Sequence, residues 1–160
     1  MNRRKFLKGT ATLVALFGPS RWLVAGAQQS AQVPGVEEVQ DLKNLGKSLK
    51  EVLGIGFDQL TPSEKVRINA PKIAESGANV PVEIEADLPP SEVKALHCFV
   101  DKNPFPHIFE ASFGPKAAAT YFATRIRIAE TAPIRAVLVT KDGKYLLASH
   151  VTRVTVGGCG

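Results

Sequence analysis

The residue with the clearest chemistry is Cys159, which stands in the segment Gly157-Gly158-Cys159-Gly160 directly after a β-branched run that ends at Val156. Glycine lacks a Cβ and adopts many backbone conformations, so these residues predict a mobile arm at 157–160 that carries one thiol. Four extended residues reach about 13–14 Å beyond the preceding strand. A thiol on so thin a tether could enter a narrow channel, as a covalent substrate carrier must. No activating group neighbours it in the sequence, so we expect the receiving enzyme to activate it.

The chain contains one other cysteine, Cys98, and this leaves further interpretations open. In an oxidising compartment Cys98 and Cys159 could form a structural or redox-active disulfide, and Cys159 could pair with its copy in a second chain. Cys98 itself lies in an apolar run, where alternation places Leu96, Cys98 and Val100 on one strand face. We therefore predict that Cys98 is a buried core thiol.

Three histidines together with the two cysteines invite comparison with a copper site, which uses two histidines, a cysteine and an axial methionine. The histidines are His97, His107 and His150. The only methionine is Met1, and the adjacent His97 and Cys98 point to opposite faces of the predicted strand. We therefore expect no metal site, and no cofactor other than a substrate bound covalently to Cys159.

Three other groups of residues could contact a ligand or a partner, but each also has a plain structural interpretation. Arg125 and Arg127 share one predicted strand face, which is either an anion-binding or partner-binding patch or a solvated face. Glu83 and Glu85 share another face and are predicted to be solvated. The segment Asn103-Pro104-Phe105-Pro106 predicts a rigid turn, with partner contact as the alternative. No set of residues typical of a hydrolase or a phosphate-binding loop is present, so we predict no catalytic residues.

Composition places these residues in one globular domain of ordinary size. The chain has 160 residues and is 44% hydrophobic, which excludes a disordered protein, and two cysteines are too few for a disulfide scaffold. The net charge of +5 comes from residues 1–27, which hold five Lys or Arg and no acidic residue; the remainder balances 15 basic against 15 acidic residues. This balance disfavours nucleic-acid binding, which needs a surplus of cations.

The first 27 residues have the organisation of an export signal. Arg3-Arg4 open a basic region, an apolar run follows over 10–18, and the small residues Ala25-Gly26-Ala27 provide a cleavage site. The apolar run is about half the ~20 residues that a membrane span needs. The arginine pair predicts export by the twin-arginine route to the periplasm, with an ordinary secretory signal as the alternative. Residues 28–35 are predicted to be a linker.

The remaining residues predict one helix and a set of strands. Apolar residues recur at steps of three and four over 36–53, which indicates an amphipathic helix that ends near Gly54 and Gly56. From residue 65 onward the period becomes two, and residues 36–156 are predicted to form a helix plus an Ig-like antiparallel β-sandwich. The predicted strands cover residues 65–68, 80–86, 94–100, 107–113, 122–128, 134–140 and 145–156, and the last two are joined by a hairpin turn at 141–144.

The chain resembles the SoxY family, the sulfur-carrier subunits of the Sox thiosulfate-oxidising system. The resemblance rests on the twin-arginine leader and on four segments of the chain. These segments are 70–82 (APKIAESGANVPV), 101–106 (DKNPFP), 124–130 (TRIRIAE) and 154–160 (VTVGGCG). The family tail usually has one more glycine after Gly160, so the reach of the arm could differ slightly.

The resemblance implies that Cys159 carries the sulfur substrate and that the chain forms a heterodimer with a SoxZ-like subunit. It also implies three enzymes that act on the carried sulfur: a c-type cytochrome enzyme that joins thiosulfate to the thiol, a di-manganese hydrolase that releases sulfate, and a sulfane dehydrogenase. No nucleic acid and no membrane is expected as a partner. Two other classes stay open, a non-catalytic periplasmic binding module and a disulfide redox protein that uses Cys98 and Cys159.

Overall fold

The computed structural model describes residues 42–156, so the predicted export signal, the linker and the arm at 157–160 lie outside the described residues. Within them, one α-helix and nine strands follow one another along the chain. They are α1 (Leu42–Leu53), β1 (Leu60–Pro62), β2 (Val66–Asn69), β3 (Ile73–Ser76), β4 (Val80–Ala86), β5 (Val93–Val100), β6 (His107–Ala111), β7 (Thr120–Ile126), β8 (Ala132–Thr140) and β9 (Tyr145–Val156). Two short 3-10 helices cover Phe57–Gln59 and Pro90–Glu92.

The strands form two sheets, which confirms the predicted β-sandwich. The larger sheet has the order β1-β9-β8-β5-β6, with β3 also paired to β9, and the smaller sheet has the order β2-β4-β7. Neighbouring strands are antiparallel except that β1 and β3 both run parallel to β9, along its outer side. These two parallel pairings were not predicted, because β1 and β3 are too short to show a periodic pattern in the sequence.

Burial on one face or on both faces explains which strands alternate between apolar and polar residues and which are mostly apolar. In β4 the residues Val80, Val82 and Ile84 are buried between the sheets, whereas the intervening residues face solvent. All nine residues of β8 are buried, because the larger sheet is covered on both faces. One face packs on the smaller sheet, and the other packs on α1 through a second apolar cluster that includes Leu45 and Leu49. The apolar face of the predicted helix therefore packs within the domain.

Two glycines end local elements where the sequence predicted turns. Gly54 follows α1 with a φ of 72°, and its N–H donates to the carbonyl of Lys50 at 3.1 Å, which closes the helix. Gly143 has a φ of 84° in the β8–β9 hairpin, where the N–H of Thr140 donates to the carbonyl of Lys144 at 3.0 Å. A left-handed backbone conformation favours glycine, which explains why glycine occupies both positions.

The strand predicted over 122–128 is shifted in the structure. It begins at Thr120 and ends at Ile126, and residues 127–131 form a loop instead. The loop leaves the sheet because its backbone groups bond elsewhere: the N–H of Ile128 donates to the carbonyl of Gly77 at 2.7 Å, and the N–H of Ala129 donates to the Asn103 side chain at 2.9 Å.

A buried ion pair lies on the α1 side of the larger sheet. The Arg135 Nε donates to Asp101 Oδ1 at 2.7 Å and its Nη2 donates to Oδ2 at 2.8 Å, and the two side chains are 1% and 2% exposed. The remaining Nη1 donates to Ser149 Oγ at 3.1 Å, and the guanidinium lies 5.4 Å from the centre of the Phe57 ring. This pair fixes the start of the loop at 101–106, which leads to the candidate site.

Candidate functional site

The strand that leads to the predicted carrier arm ends at one end of the sandwich, which we call the arm end. The arm end comprises the β3–β4 turn at 77–79, the loops at 101–106 and 127–131, and the final residues of β9. The structure describes β9 as far as Val156, so Gly157, Gly158, Cys159 and Gly160 lie just beyond the described residues. The point from which the arm departs is therefore defined by the structure.

The last part of β9 extends beyond β8 and is held by other partners. The β8–β9 ladder stops at the Ala132–Thr152 pair, after which β9 pairs only with β3. On that side the N–H of Arg153 donates to the carbonyl of Lys72 at 2.9 Å. On the other side the N–H of Val154 donates to Thr131 Oγ1 at 3.0 Å. The strand is thus bonded on both edges close to the arm.

A second set of hydrogen bonds ties the loops of the arm end together. Asn103 is buried, and its side chain bridges the loop at 127–131 by donating to the carbonyl of Arg127 at 2.8 Å and accepting from the N–H of Ala129 at 2.9 Å. The β3–β4 turn joins through the bond from Ile128 to Gly77. The segments that carry the family resemblance at 70–82, 101–106 and 124–130 thus meet at the root of the arm.

Gly77 is a position where a side chain has no room. An added Cβ would collide with the carbonyl oxygen of Ile128, which belongs to the backbone and cannot turn aside. We expect Gly77→Ala to lower the free energy of unfolding by about 1–3 kcal/mol, because the turn and the loop must separate. Urea unfolding followed by circular dichroism measures this change.

Gly46 in α1 provides the matched control, since nothing lies within 4 Å of its added Cβ. We expect Gly46→Ala to leave stability unchanged or to raise it by up to about 1 kcal/mol, because alanine favours a helix. Equal stability of Gly77→Ala and the unmodified chain would contradict the close contact at the arm end.

Cys98 is a buried thiol, as the strand pattern predicted. It is 0% exposed in β5, among the core residues that also include Leu96 and Val100, and burial raises the pKa of its thiol to about 12. A thiol of this kind is neutral and shielded at physiological pH, so it is a poor nucleophile.

The sheet register also separates Cys98 from the arm. Cys98 lies opposite Ala136, and Ala136 lies opposite Ala148. The eight residues from Ala148 to Val156 span about 26 Å along the strand. Three further residues to Cys159 reach back at most about 11 Å. Because a disulfide needs Cα atoms within about 7 Å, the native fold does not permit a Cys98–Cys159 bond.

These observations predict very different reactivities for the two thiols. We expect iodoacetamide to alkylate Cys159 in the native protein and to leave Cys98 unmodified until denaturant is added, because Cys98 is buried and protonated. Peptide mapping by mass spectrometry after timed labelling measures both rates. Labelling of Cys98 at the rate of Cys159 without denaturant would contradict this prediction.

The structure does not bring the histidines and Cys98 together in the arrangement of a copper site. His97 and His107 lie together, with Nδ1 of the first 3.4 Å from Nε2 of the second, and burial lowers the pKa of both. Cys98 points to the opposite face of β5, into the core, and His150 lies on β9 opposite Ile134. Among residues 42–156, no group of three His, Cys, Asp or Glu side chains could hold a metal ion.

The remaining charged residues singled out in the sequence lie at the surface. Arg125 is on the exposed face of β7, and Arg127 is exposed in the loop at the arm end. Glu83 and Glu85 are exposed on β4, as predicted, and Glu85 accepts a hydrogen bond from Arg67 Nε at 2.8 Å. In the part of the chain that the structure describes, no helix is long and apolar enough to cross a membrane.

Comparisons with known proteins agree with this architecture. Residues 50–159 match the family model described as sulfur oxidation protein SoxY. A solved structure of the sulfur carrier protein SoxY from Chlorobium limicola f thiosulfatophilum is similar to this chain with a TM-score of 0.61 and 25% identity, over 72% of this chain and 99% of that one. No curated protein matches the sequence significantly.

Two superoxide reductases share the fold. A neelaredoxin from Ignicoccus hospitalis has a TM-score of 0.53 and 12% identity, over 62% of this chain and 98% of that chain. A putative superoxide reductase from Thermotoga maritima has a TM-score of 0.52 and 15% identity, over 62% of this chain and 96% of that chain. At such low identity these likenesses concern the β-sandwich alone.

Proposed function

Because the chain belongs to the SoxY family of sulfur oxidation proteins, we propose that it is a covalent sulfur carrier whose substrate is held on Cys159. The observation that carries this proposal is the family match itself, which extends through β9 and includes Cys159. The chain would present the substrate to enzymes and would not be a catalyst. It would need no cofactor besides the bound sulfur.

The arrangement of the two thiols supports this role. Cys98 is fully buried and its thiol pKa is raised to about 12, so it would not compete for the substrate. The strand before Cys159 is bonded on both edges, so an arm that starts at Val156 departs from a fixed position. A carrier gains from such a root, because the enzyme that receives the arm meets it in a defined place.

The substrate that we propose is thiosulfate in the periplasm. Its terminal sulfur would bond to the Cys159 sulfur, with release of the thiol proton and transfer of two electrons to a c-type cytochrome enzyme. A di-manganese hydrolase would then add water to the resulting S-thiosulfonate, which breaks the bond between its last two sulfur atoms and releases sulfate. A sulfane dehydrogenase would oxidise the outer sulfur that remains on Cys159 to a sulfonate, with oxygen from three water molecules and transfer of six electrons to a cytochrome acceptor. Hydrolysis of the bond between this sulfonate and the Cys159 sulfur would release a second sulfate and regenerate the thiol.

We further propose that residues 1–27 direct twin-arginine export and that the chain pairs with a SoxZ-like subunit. Export of folded cargo is compatible with a pair assembled before it crosses the membrane. Among residues 42–156, β6 in the larger sheet and β2 and β7 in the smaller one each have an edge that pairs with no other described strand. Pairing along such an edge would cover backbone groups that otherwise invite aggregation.

Intact-mass spectrometry of the protein from the periplasm of thiosulfate-grown cells tests this proposal. We expect additions with the mass of sulfur or of a thiosulfonate group that map to Cys159 and disappear with reductant. A mass lower by two protons, with a peptide that links Cys98 to Cys159, would instead identify a disulfide redox protein. An unmodified Cys159 thiol in protein from thiosulfate-grown cells would favour a binding module and would reject the proposed carrier function.

A further inference from the structure

The two most exposed large apolar side chains of the described residues lie at the arm end or close to it. Four large hydrophobic residues are exposed within residues 42–156, and Phe105 at 84% and Ile73 at 61% are the most exposed of them. The other two, Tyr121 at 48% and Val52 at 37%, lie elsewhere. A phenylalanine with most of its surface in water is uncommon, because its burial is strongly favourable.

Phe105 stands in a loop that is fixed at both ends. The N–H of Val100 donates to the carbonyl of Pro106 at 2.8 Å, which closes the loop, and Asp101 is locked into its buried ion pair. Asn103 ties the loop to residues 127–131, and prolines flank Phe105 on both sides. A loop with so constrained a backbone loses little backbone entropy when a partner covers it.

Ile73 lies on the other side of the arm root. It begins β3, which pairs with the outer edge of β9, and it stands opposite Arg153, three residues before Val156. The loop of Phe105 follows β5, which lies on the inner side of β9 beyond β8. The two exposed apolar side chains therefore flank the strand from which the arm departs.

The length of the link to Cys159 decides what must cover this surface. Cys159 lies three residues beyond Val156, so its Cα stays within about 11 Å of that residue. An enzyme that reacts with sulfur on Cys159 must therefore bring its channel opening against the arm end. The surface that surrounds the arm root becomes part of every such complex.

We propose that the arm end is the docking face for the sulfate-releasing hydrolase that acts on the sulfur of Cys159, with Phe105 as the anchor that enters an apolar recess beside the channel opening of that enzyme. Ile73 makes a second contact on the opposite side of the arm. This inference rests on the proposed carrier function and names the surface through which that function operates. Large aromatic anchors supply much of the affinity in such interfaces.

Steady-state kinetics with Phe105→Ala tests this proposal. The exported chain, paired with its partner subunit and loaded with thiosulfate, serves as the substrate of the sulfate-releasing hydrolase. We expect KM to rise about 10- to 30-fold, the range for loss of an interface anchor, while kcat changes less than about twofold. We expect Ile73→Ala to raise KM less, and Tyr121→Ala, on the end of β7 away from the arm, to leave KM unchanged.

Two further readouts separate docking from carrying. Alkylation of Cys159 by iodoacetamide and the melting temperature should match those of the unmodified chain, since Phe105 is exposed and its ring has no group that ionises or reacts with a thiol. If Phe105→Ala and Ile73→Ala are both shown to carry thiosulfate and both keep the original KM, the proposed docking face is wrong. The proposed carrier function is unaffected by that result. If either variant instead loses the partner subunit, the surface belongs to that interface and the proposal is overturned. Failure of the unmodified chain to load at Cys159 would reject the carrier function itself.

Discussion

Replacing Cys159 with serine is expected to abolish thiosulfate-dependent electron transfer in a reconstituted system and to remove every sulfur addition from the intact mass. The hydroxyl of serine cannot form the sulfur–sulfur bond on which the proposed chemistry depends. We expect a fall of at least about 100-fold, to the background rate, since the chain's other cysteine, Cys98, is buried. Cytochrome reduction followed by absorbance measures the loss.

Cys98→Ala is the matched control, because it removes the other thiol from the core. We expect it to cost stability, about 1 kcal/mol for a small cavity, and to retain electron transfer and sulfur loading. The Cys159→Ser protein should keep its melting temperature and its pairing with the partner subunit. Comparable losses from both replacements would indicate a dithiol redox protein, and retained activity in Cys159→Ser would reject the carrier.

The second large effect is expected at the buried pair of Asp101 and Arg135. Replacing Asp101 with leucine leaves the Arg135 guanidinium, which is 1% exposed, without its counter-charge. Replacing Arg135 with methionine likewise leaves the buried Asp101 carboxylate unpaired. We expect each single replacement to lower the free energy of unfolding by about 3–5 kcal/mol. Urea unfolding of both single variants and the double variant measures the effect as a double-mutant cycle.

The double variant distinguishes the effect of an unpaired buried charge from the effect of removing both side chains at this site. Two apolar side chains can fill the site without an unpaired charge, so we expect it to recover most of the stability that either single variant loses. Arg67→Met is the surface control: its ion pair with Asp87 has the same 2.7 Å contact, but both side chains are at least half exposed. We expect it to cost less than about 1 kcal/mol. Similar losses at both sites would show that burial is not the cause.

The sequence predicted the parts of the fold that depend on local patterns. The strand predicted from alternation over 80–86 and the strand predicted over 145–156 after a hairpin turn match β4 and β9 to the residue, and the shared face of Leu96, Cys98 and Val100 is the buried one. The helix also ends at Gly54 as predicted, whereas its predicted start at residue 36 lies outside the described residues. These features follow from side-chain periodicity and from backbone preferences within a few residues.

The features that the sequence missed depend on contacts far apart along the chain. The strand β3 has four residues, and its partner in β9 is about eighty residues away, so no local pattern reveals it. The network of Asn103 with residues 127–131 is also non-local, because Asn103 and Arg127 are 24 residues apart. One signal was present for the ion pair: Arg135 is the single charged residue in the apolar run of β8. A charge in a fully buried strand requires a partner, which local reasoning could have sought.

The candidate site was predicted in part. Cys159 and its glycines were recognised from residue type and spacing, and they remain a prediction because they lie beyond the described residues. The exposure of Phe105 could not be predicted, because an apolar residue between two prolines is compatible with a buried or an exposed loop. Only the folded chain shows that this loop lies at the same end of the sandwich as the last residues of β9.

Under the proposed function, the short link between Val156 and Cys159 has a consequence for the enzymes that would act on the carried sulfur. An enzyme that reached the thiol would cover the arm end, so two enzymes could not bind one carrier at the same time. The enzymes would compete for the carrier, and one enzyme could bind it only after the previous enzyme had dissociated. The order of the steps is then set by residence times and by how well each enzyme distinguishes one cargo from another, since dissociation rates vary more among related complexes than association rates do. An excess of any one enzyme would slow the others by holding the carrier away from them.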